Sequence, residues 1–121
     1  MIGIGIDAVE VERFRAVMAR TPSIEERLFT PAERAYGREA KDPVPRLAAR
    51  FAAKEALMKA LGVGLGAFGF HDVEVVTAAS GAPALELRGE AAALAGQLGV
   101  QTLRVSLTHT HLMAEAVVAA L

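Results

Sequence analysis

Residues 2–6 alternate isoleucine and glycine, a period-2 pattern with Ile2, Ile4 and Ile6 on one face of an extended segment and Gly3 and Gly5 on the other. Asp7 continues the glycine face. The apolar phase then shifts to odd positions at Val9 and Val11, which a strand ending or bulging at Asp7 explains. Val11, Phe14, Val17 and Met18 follow helical spacing and predict a helix from about residue 9 to 20, stopped by Thr21-Pro22. Asp7 therefore sits at a strand-to-helix junction, where a carboxylate commonly caps the helix. Capping and metal ligation are compatible roles for it.

Ser23 with Glu26, and Thr30-Pro31 with Glu33, read as capping boxes for short helices over 23–28 and 31–39. The prolines of Lys41 to Pro45 launch a long helix that begins near Pro45. It is rich in strong helix formers and stops at Gly62, which can take the left-handed cap conformation. Its stripe of Leu47, Phe51, Met58 and Leu61 is expected to face the core. Strands follow over 70–77 and 84–88 around a turn at 79–83, then an Ala-rich helix over 90–98. Two last strands, over 102–109 and 113–120, form a hairpin around Thr110-His111. The pattern predicts a single α+β domain over residues 1–121. Its last three strands or so are antiparallel, with the long helix packed across them.

Charge placement on the long helix departs from an ordinary surface helix. Arg50 and Lys54 fall inside or beside the apolar stripe, while Glu55 and Lys59 share the adjoining face. Snorkelling along the helix flanks and a routine i,i+4 pair are the bland explanation. Two facts weigh against it. Lysine occurs only three times against ten arginines, yet two of the three stand here. A glycine-rich run, Gly62-Val63-Gly64-Leu65-Gly66, follows at once, where backbone could approach a ligand closely. A carboxylate among cations beside such a bend points to a phosphate and metal site.

Composition narrows the alternatives. A chain of 121 residues is one domain's worth, and its 53% hydrophobic content leaves apolar surface to bury between subunits. A net charge of −1 carries no global nucleic-acid or membrane signal. The absence of cysteine excludes disulfides, thiolate metal sites and cysteine nucleophiles. No basic-then-apolar leader follows Met1, and no apolar run approaches the roughly 20 residues that span a bilayer. A cytoplasmic location is expected.

The run Arg50-Phe-Ala-Ala-Lys54-Glu55-Ala, then Lys59-Ala-Leu-Gly-Val-Gly64, resembles a signature of the holo-acyl-carrier-protein synthases, the small 4′-phosphopantetheinyl transferases. Gly3-Ile-Gly-Ile-Asp7, with Glu10 and Arg13 beyond it, resembles that family's other signature. The likeness continues through Phe29-Thr-Pro-Ala-Glu33, Gly81-Ala-Pro83 and Ser106-Leu-Thr-His109. The resemblance implies a 4′-phosphopantetheinyl transferase-like single domain, a small antiparallel sheet wrapped around a long central helix. It implies transfer of the 4′-phosphopantetheine arm of coenzyme A to a serine of an acyl carrier protein, releasing 3′,5′-ADP, as fatty acid biosynthesis requires. It also implies a homotrimer with active sites at subunit junctions.

Under that resemblance Asp7 and Glu55 match the Mg²⁺ ligands. Two carboxylates suit this ion, which keeps several waters and is completed by substrate phosphates. Lys59, one turn after Glu55, would add a point charge on the same phosphates, giving Asp7, Glu55 and Lys59 as the catalytic set. Arg50 is assigned to substrate phosphate and Lys54 to support from within. Gly62 and Gly64 supply the bend. Gly81 and Pro83 match a turn near the nucleotide, and Ser106 and His109 are implied near the coenzyme A phosphates. The serine proton could pass to a metal-bound water, Asp7 or Glu55.

His109 and His111 share a strand face, but the local sequence supplies no third ligand for zinc. His71 reads as solvated. Arg13, Arg15 and Arg20, with no acid between them, form either a solvated charged face or a docking surface for an acidic carrier protein, with Met18 as an adaptable apolar contact. Only Arg13 matches the family pattern directly. Ala8 replaces a commoner larger aliphatic. The loop from Lys41 to Pro45 lacks a dense basic cluster for the 3′-phosphate, leaving Arg38, Lys41 or Arg46 for that contact. Two other classes stay open on the residues alone: a non-catalytic nucleotide- or carrier-binding module, and an unrelated Mg²⁺-dependent phosphoryl-transfer enzyme.

Overall fold

The computed structural model describes residues 1–121. Strand β1 (Gly3–Glu10) leads directly into helix α1 (Val11–Arg20). Helices α2 (Ile24–Leu28), α3 (Pro31–Arg38) and the long α4 (Val44–Ala60) follow. A 3₁₀ turn (Phe70–Asp72) then enters the hairpin of β2 (Val73–Thr77) and β3 (Pro83–Leu87). Helix α5 (Gly89–Gln97) and the hairpin of β4 (Leu103–His109) and β5 (Met113–Ala120) complete the α+β fold. Residues 70–72, expected to be strand, are this 3₁₀ turn instead.

The strands form two antiparallel units, a three-stranded sheet of order β1-β5-β4 and the separate β2-β3 hairpin. The two expected hairpins form, β2 with β3 and β4 with β5, both antiparallel. β5 pairs on its other side with β1, the strand farthest from it in sequence. The register runs unbroken from Gly3 opposite Ala120 to Glu10 opposite Met113, with no bulge or end at Asp7. The apparent phase shift has another cause. The odd face of β1 turns inward throughout, with glycine where space is least and Val9 where it widens, while Ile4 and Ile6 are exposed.

The glycines are required by contact with α4. A Cβ on Gly3 would overlap the carbonyl oxygen of Ala60, and one on Gly5 would overlap that of Ala56. Strand backbone thus lies directly against helix backbone. Helix α4 is buried almost all round, and its small Ala56 and Ala60 stand where β1 comes closest. The helix ends in a Schellman motif. Val63 donates its N–H to the Met58 carbonyl and Gly62 to that of Lys59, with Gly62 at φ +73°.

Two apolar clusters flank α4. One gathers its C-terminal half with β2, β5 and α5, and the other its N-terminal half with Val11, Phe14 and Phe29. The Thr30 capping box forms as expected, but Ser23 makes no side-chain cap bond. We expect Gly5→Ala to destabilise the fold by about 3 kcal/mol, the upper end for overpacking, because the obstacle is helix backbone. Urea denaturation checks this, and a loss below about 1 kcal/mol would show that β1 can lift from α4 cheaply.

Candidate active site

Close packing of β1 on α4 brings Asp7 beside the last turns of the helix. The Lys59 ammonium donates to Asp7 Oδ1 at 3.2 Å and to the Ile6 carbonyl at 2.9 Å. Asp7 is a mid-strand residue and caps nothing; Glu10 holds the N-cap position of α1 without a side-chain cap bond. Glu55 lines the same cleft and makes no ion pair or hydrogen bond with the chain. Its burial pushes the carboxyl above the usual carboxylate range; the like charge of Asp7 adds to this, and Lys59 opposes it. Asp7, Glu55 and Lys59 therefore converge as the sequence predicts.

This pair of hard oxygen donors, with like charges facing one cleft, fits a divalent cation completed by phosphate and water. No group of three or more His, Cys, Asp or Glu side chains gathers to hold a metal anywhere in the chain, so the protein offers this pair alone. His111 stands in the exposed β4–β5 turn, away from any such cluster. His71 is exposed, its ring nitrogen 2.6 Å from the Glu26 carbonyl oxygen.

An apolar groove of about 580 Å³ opens beside the two carboxylates. Stacked rings run along it, Phe14 on Phe51 at 5.4 Å and Phe51 on Phe70 at 6.0 Å between centroids. Leu28 and Leu65 add aliphatic wall, and Arg13 and Glu10 stand among its lining residues. Of the glycine-rich bend only Leu65 contributes to the groove. Gly62 and Gly64 are exposed and line neither cavity described here.

A second cavity of about 280 Å³ gathers Arg50 with Arg46, Gly81, Pro83 and His109. Tyr36 lies against both guanidiniums, 4.3 Å from Arg46 and 4.1 Å from Arg50 to the ring centroid. Arg50 donates to Thr77 Oγ1 at 3.5 Å, and its buried Nε has no partner. Tyr36 carries no motif, so only folding marks it as part of this pocket. Of the three basic residues weighed for a phosphate, Arg46 lines the cavity, whereas Arg38 is paired with Glu25 at 3.0 Å. Ser106 lies apart from both cavities, on the outer face of the sheet opposite Val117.

Lys54 is fully buried. Its ammonium donates to Glu33 Oε1 at 2.7 Å and to the carbonyls of Leu28 at 2.7 Å and Phe70 at 2.9 Å. Among the arginines of α1, Arg15 is held by Glu12 and Asp42, each at 2.6 Å. Arg13 and Arg20 form no ion pair.

A family model of the 4′-phosphopantetheinyl transferase superfamily matches residues 3–120. Sequence comparison finds the holo-[acyl-carrier-protein] synthase of Frankia alni, 49% identical over 120 residues, 99% of this chain and 97% of that protein. The chain belongs to the holo-[acyl-carrier-protein] synthase family of 4′-phosphopantetheinyl transferases. It is accordingly an enzyme, a 4′-phosphopantetheinyl transferase. The crystal structure of the Neisseria meningitidis synthase is similar at TM-score 0.90 and 30% identity, covering 99% of this chain and 98% of that one. The Helicobacter pylori synthase, solved in complex with coenzyme A, matches at TM-score 0.84 and 31% identity, covering 97% and 98%.

The synthase's raised Glu55 carboxyl has a consequence for stability. The folded state holds this proton to higher pH than the unfolded chain. The stability it contributes is full below the unfolded pKa and is lost as pH rises through the raised folded value. With chelator present, Glu55→Gln should be more resistant to urea than the wild type at pH 8, and the difference should vanish by about pH 4. Equal midpoints at pH 8 would mean that Glu55 is not held under electrostatic strain.

Proposed function

We propose that this chain transfers the 4′-phosphopantetheine arm of coenzyme A to a serine of an acyl carrier protein, releasing adenosine 3′,5′-bisphosphate, with Asp7 and Glu55 as ligands of Mg²⁺. The observation that carries this reading is the convergence of Asp7, Glu55 and Lys59 beside the apolar groove, in a chain of this family. The coenzyme A complex of the Helicobacter pylori relative supports the choice of donor.

In the reaction the serine oxygen bonds to the phosphorus that carries the pantetheine arm. The bond from that phosphorus to the bridging oxygen breaks, that oxygen departs on adenosine 3′,5′-bisphosphate, and the serine proton passes to Asp7, Glu55 or water. Asp7 and Glu55 would hold the Mg²⁺, which when bound would neutralise charge on the pyrophosphate, worth several kcal/mol. Lys59, bonded to Asp7 and the Ile6 carbonyl but 56% exposed at its side chain, would turn its ammonium to the same phosphates. The apolar groove suits the uncharged arm. The cavity of Arg46, Arg50 and His109 suits the anionic nucleotide end, with the unpartnered Arg50 Nε as a donor for it.

Assembly follows from where these halves lie. Arg50 and Glu55 are five residues apart, about 140° around α4, so the second cavity and the carboxylates open in different directions. One coenzyme A reaches both kinds of site most readily when they come from two chains. The outer face of the three-stranded sheet offers the contact, with Ile4 61% and Ile6 66% exposed beside Val117. Ser106 stands on that same face and joins the site only through such a contact. We therefore assign a homotrimer whose subunit junctions carry the active sites.

Carrier docking is assigned to α1. Arg13 stands beside the groove with its charge unpaired, and Arg20 is also free. The two acids on Arg15 neutralise it and leave it a lesser part. Met18, half-buried against the Phe14 cluster, has limited surface to offer.

Incubation with apo carrier protein, coenzyme A and Mg²⁺ should add the mass of one phosphopantetheine to the carrier. Asp7→Asn and Glu55→Gln should fold and lose roughly 10²- to 10⁴-fold in turnover, about 3–5 kcal/mol. Near-normal turnover at limiting Mg²⁺ in either variant would sink the metal assignment. Arg13→Glu should weaken carrier binding, measured by titration, and leave coenzyme A binding almost unchanged. The effect should shrink as salt rises, and equal losses for both ligands would overturn this surface. Sedimentation should give three times the 12.7 kDa chain mass, and an active monomer across working concentrations would refute the assembly.

A further inference from the structure

We infer that the buried Lys54–Glu33 pair is a positioning device that sets the walls of both substrate cavities from a single point on α4. The inference rests on the donor reading above, in which coenzyme A occupies those cavities. All three ammonium protons of Lys54 are used, on Glu33 Oε1, the Leu28 carbonyl and the Phe70 carbonyl. Leu28 and Phe70 are themselves wall residues of the apolar groove. Glu33 extends the connection. Its Oε1 also accepts from the Thr30 N–H at 2.9 Å, and its Oε2 accepts from the Val75 N–H of β2 at 2.8 Å. Two residues further along β2, Thr77 accepts from Arg50 in the second cavity.

Stability gives no reason for an ion pair here. Desolvation of two buried ions offsets much of their attraction, and apolar side chains of similar volume commonly hold such a site as well or better. Apolar replacements have no means of fixing two carbonyls and a strand N–H at set positions. A Lys–Glu pair whose bonds end on the walls of two cavities does. Lys54 touches no reacting atom in this arrangement, since Glu33 and the two carbonyls enclose its ammonium.

The test is the double variant Lys54→Met/Glu33→Gln, which removes both charges and keeps volume. It should fold, with its urea midpoint reporting the cost of the carbonyls that lose the Lys54 donor, while its KM for coenzyme A rises about tenfold, with kcat reduced less than threefold. A folded double variant with wild-type KM would overturn the inference, because the cavity walls would then hold without the pair. Should the double variant not fold, Glu33→Gln alone decides. It retains an acceptor for Lys54 and turns an amide donor toward the Val75 N–H, so KM should again rise selectively, and an unchanged KM would overturn the inference. Wild-type enzyme run alongside separates the two readings: no transfer from coenzyme A by the wild type defeats the proposed function itself.

Discussion

The close approach of β1 to α4 governs the rest of the molecule. Strand backbone rests on helix backbone because Gly3 and Gly5 carry no side chain where the carbonyls of Ala60 and Ala56 lie. The approach sets the depth at which Asp7, two residues on, meets the side chains of the last helical turns. In this arrangement the Lys59 ammonium bonds both the Ile6 carbonyl and Asp7. The same approach also sets the distance at which the Asp7 charge adds to the upward push that burial gives the Glu55 carboxyl. The geometry of the cleft is a consequence of packing between two backbones, in an interior too dense to give way easily.

Helix α4 then distributes chemistry by azimuth. Glu55 and Lys59 are about 40° apart and share the carboxylate cleft, Arg50 points into the second cavity, and Lys54 points into the protein. A helix buried almost all round has no solvated side on which to leave charges idle. Each polar group on it must be compensated, since an unpaired buried ion costs several kcal/mol. Lys54 is compensated by Glu33 and two carbonyls, and Arg50 in part by Tyr36 and Thr77. Glu55, only half-buried, is left without a partner, and its carboxyl is pushed above the usual range by burial.

The arginines illustrate how folding sorts equal charges. Arg15 is drawn to Asp42 across 27 residues of sequence, and Arg34 and Arg38 close on Glu25. Arg13 and Arg20 keep their charge toward solvent. A stretch that is uniformly basic along the chain is therefore basic in the fold only at selected points, and those points flank the apolar groove and α1.

The sequence by itself determined the element order, the long helix with its Gly62 stop, the Thr30–Glu33 cap and the set Asp7, Glu55, Lys59. All of these rest on local pattern, on backbone conformation or on a dense motif, which short-range physics reads directly. Tertiary structure decided the pairing of β1 with β5, because a strand's partner depends on chain closure over more than a hundred residues. It also decided that the glycine face is the inner one. The alternation of Ile and Gly names two faces without saying which meets the helix, and close contact reverses the usual preference for burying the larger residue. Tyr36 and the second bond of Glu33, from a helix-capping residue to Lys54, were invisible for the same reason. Their partners lie far away in sequence, and only the packed interior brings those atoms within reach.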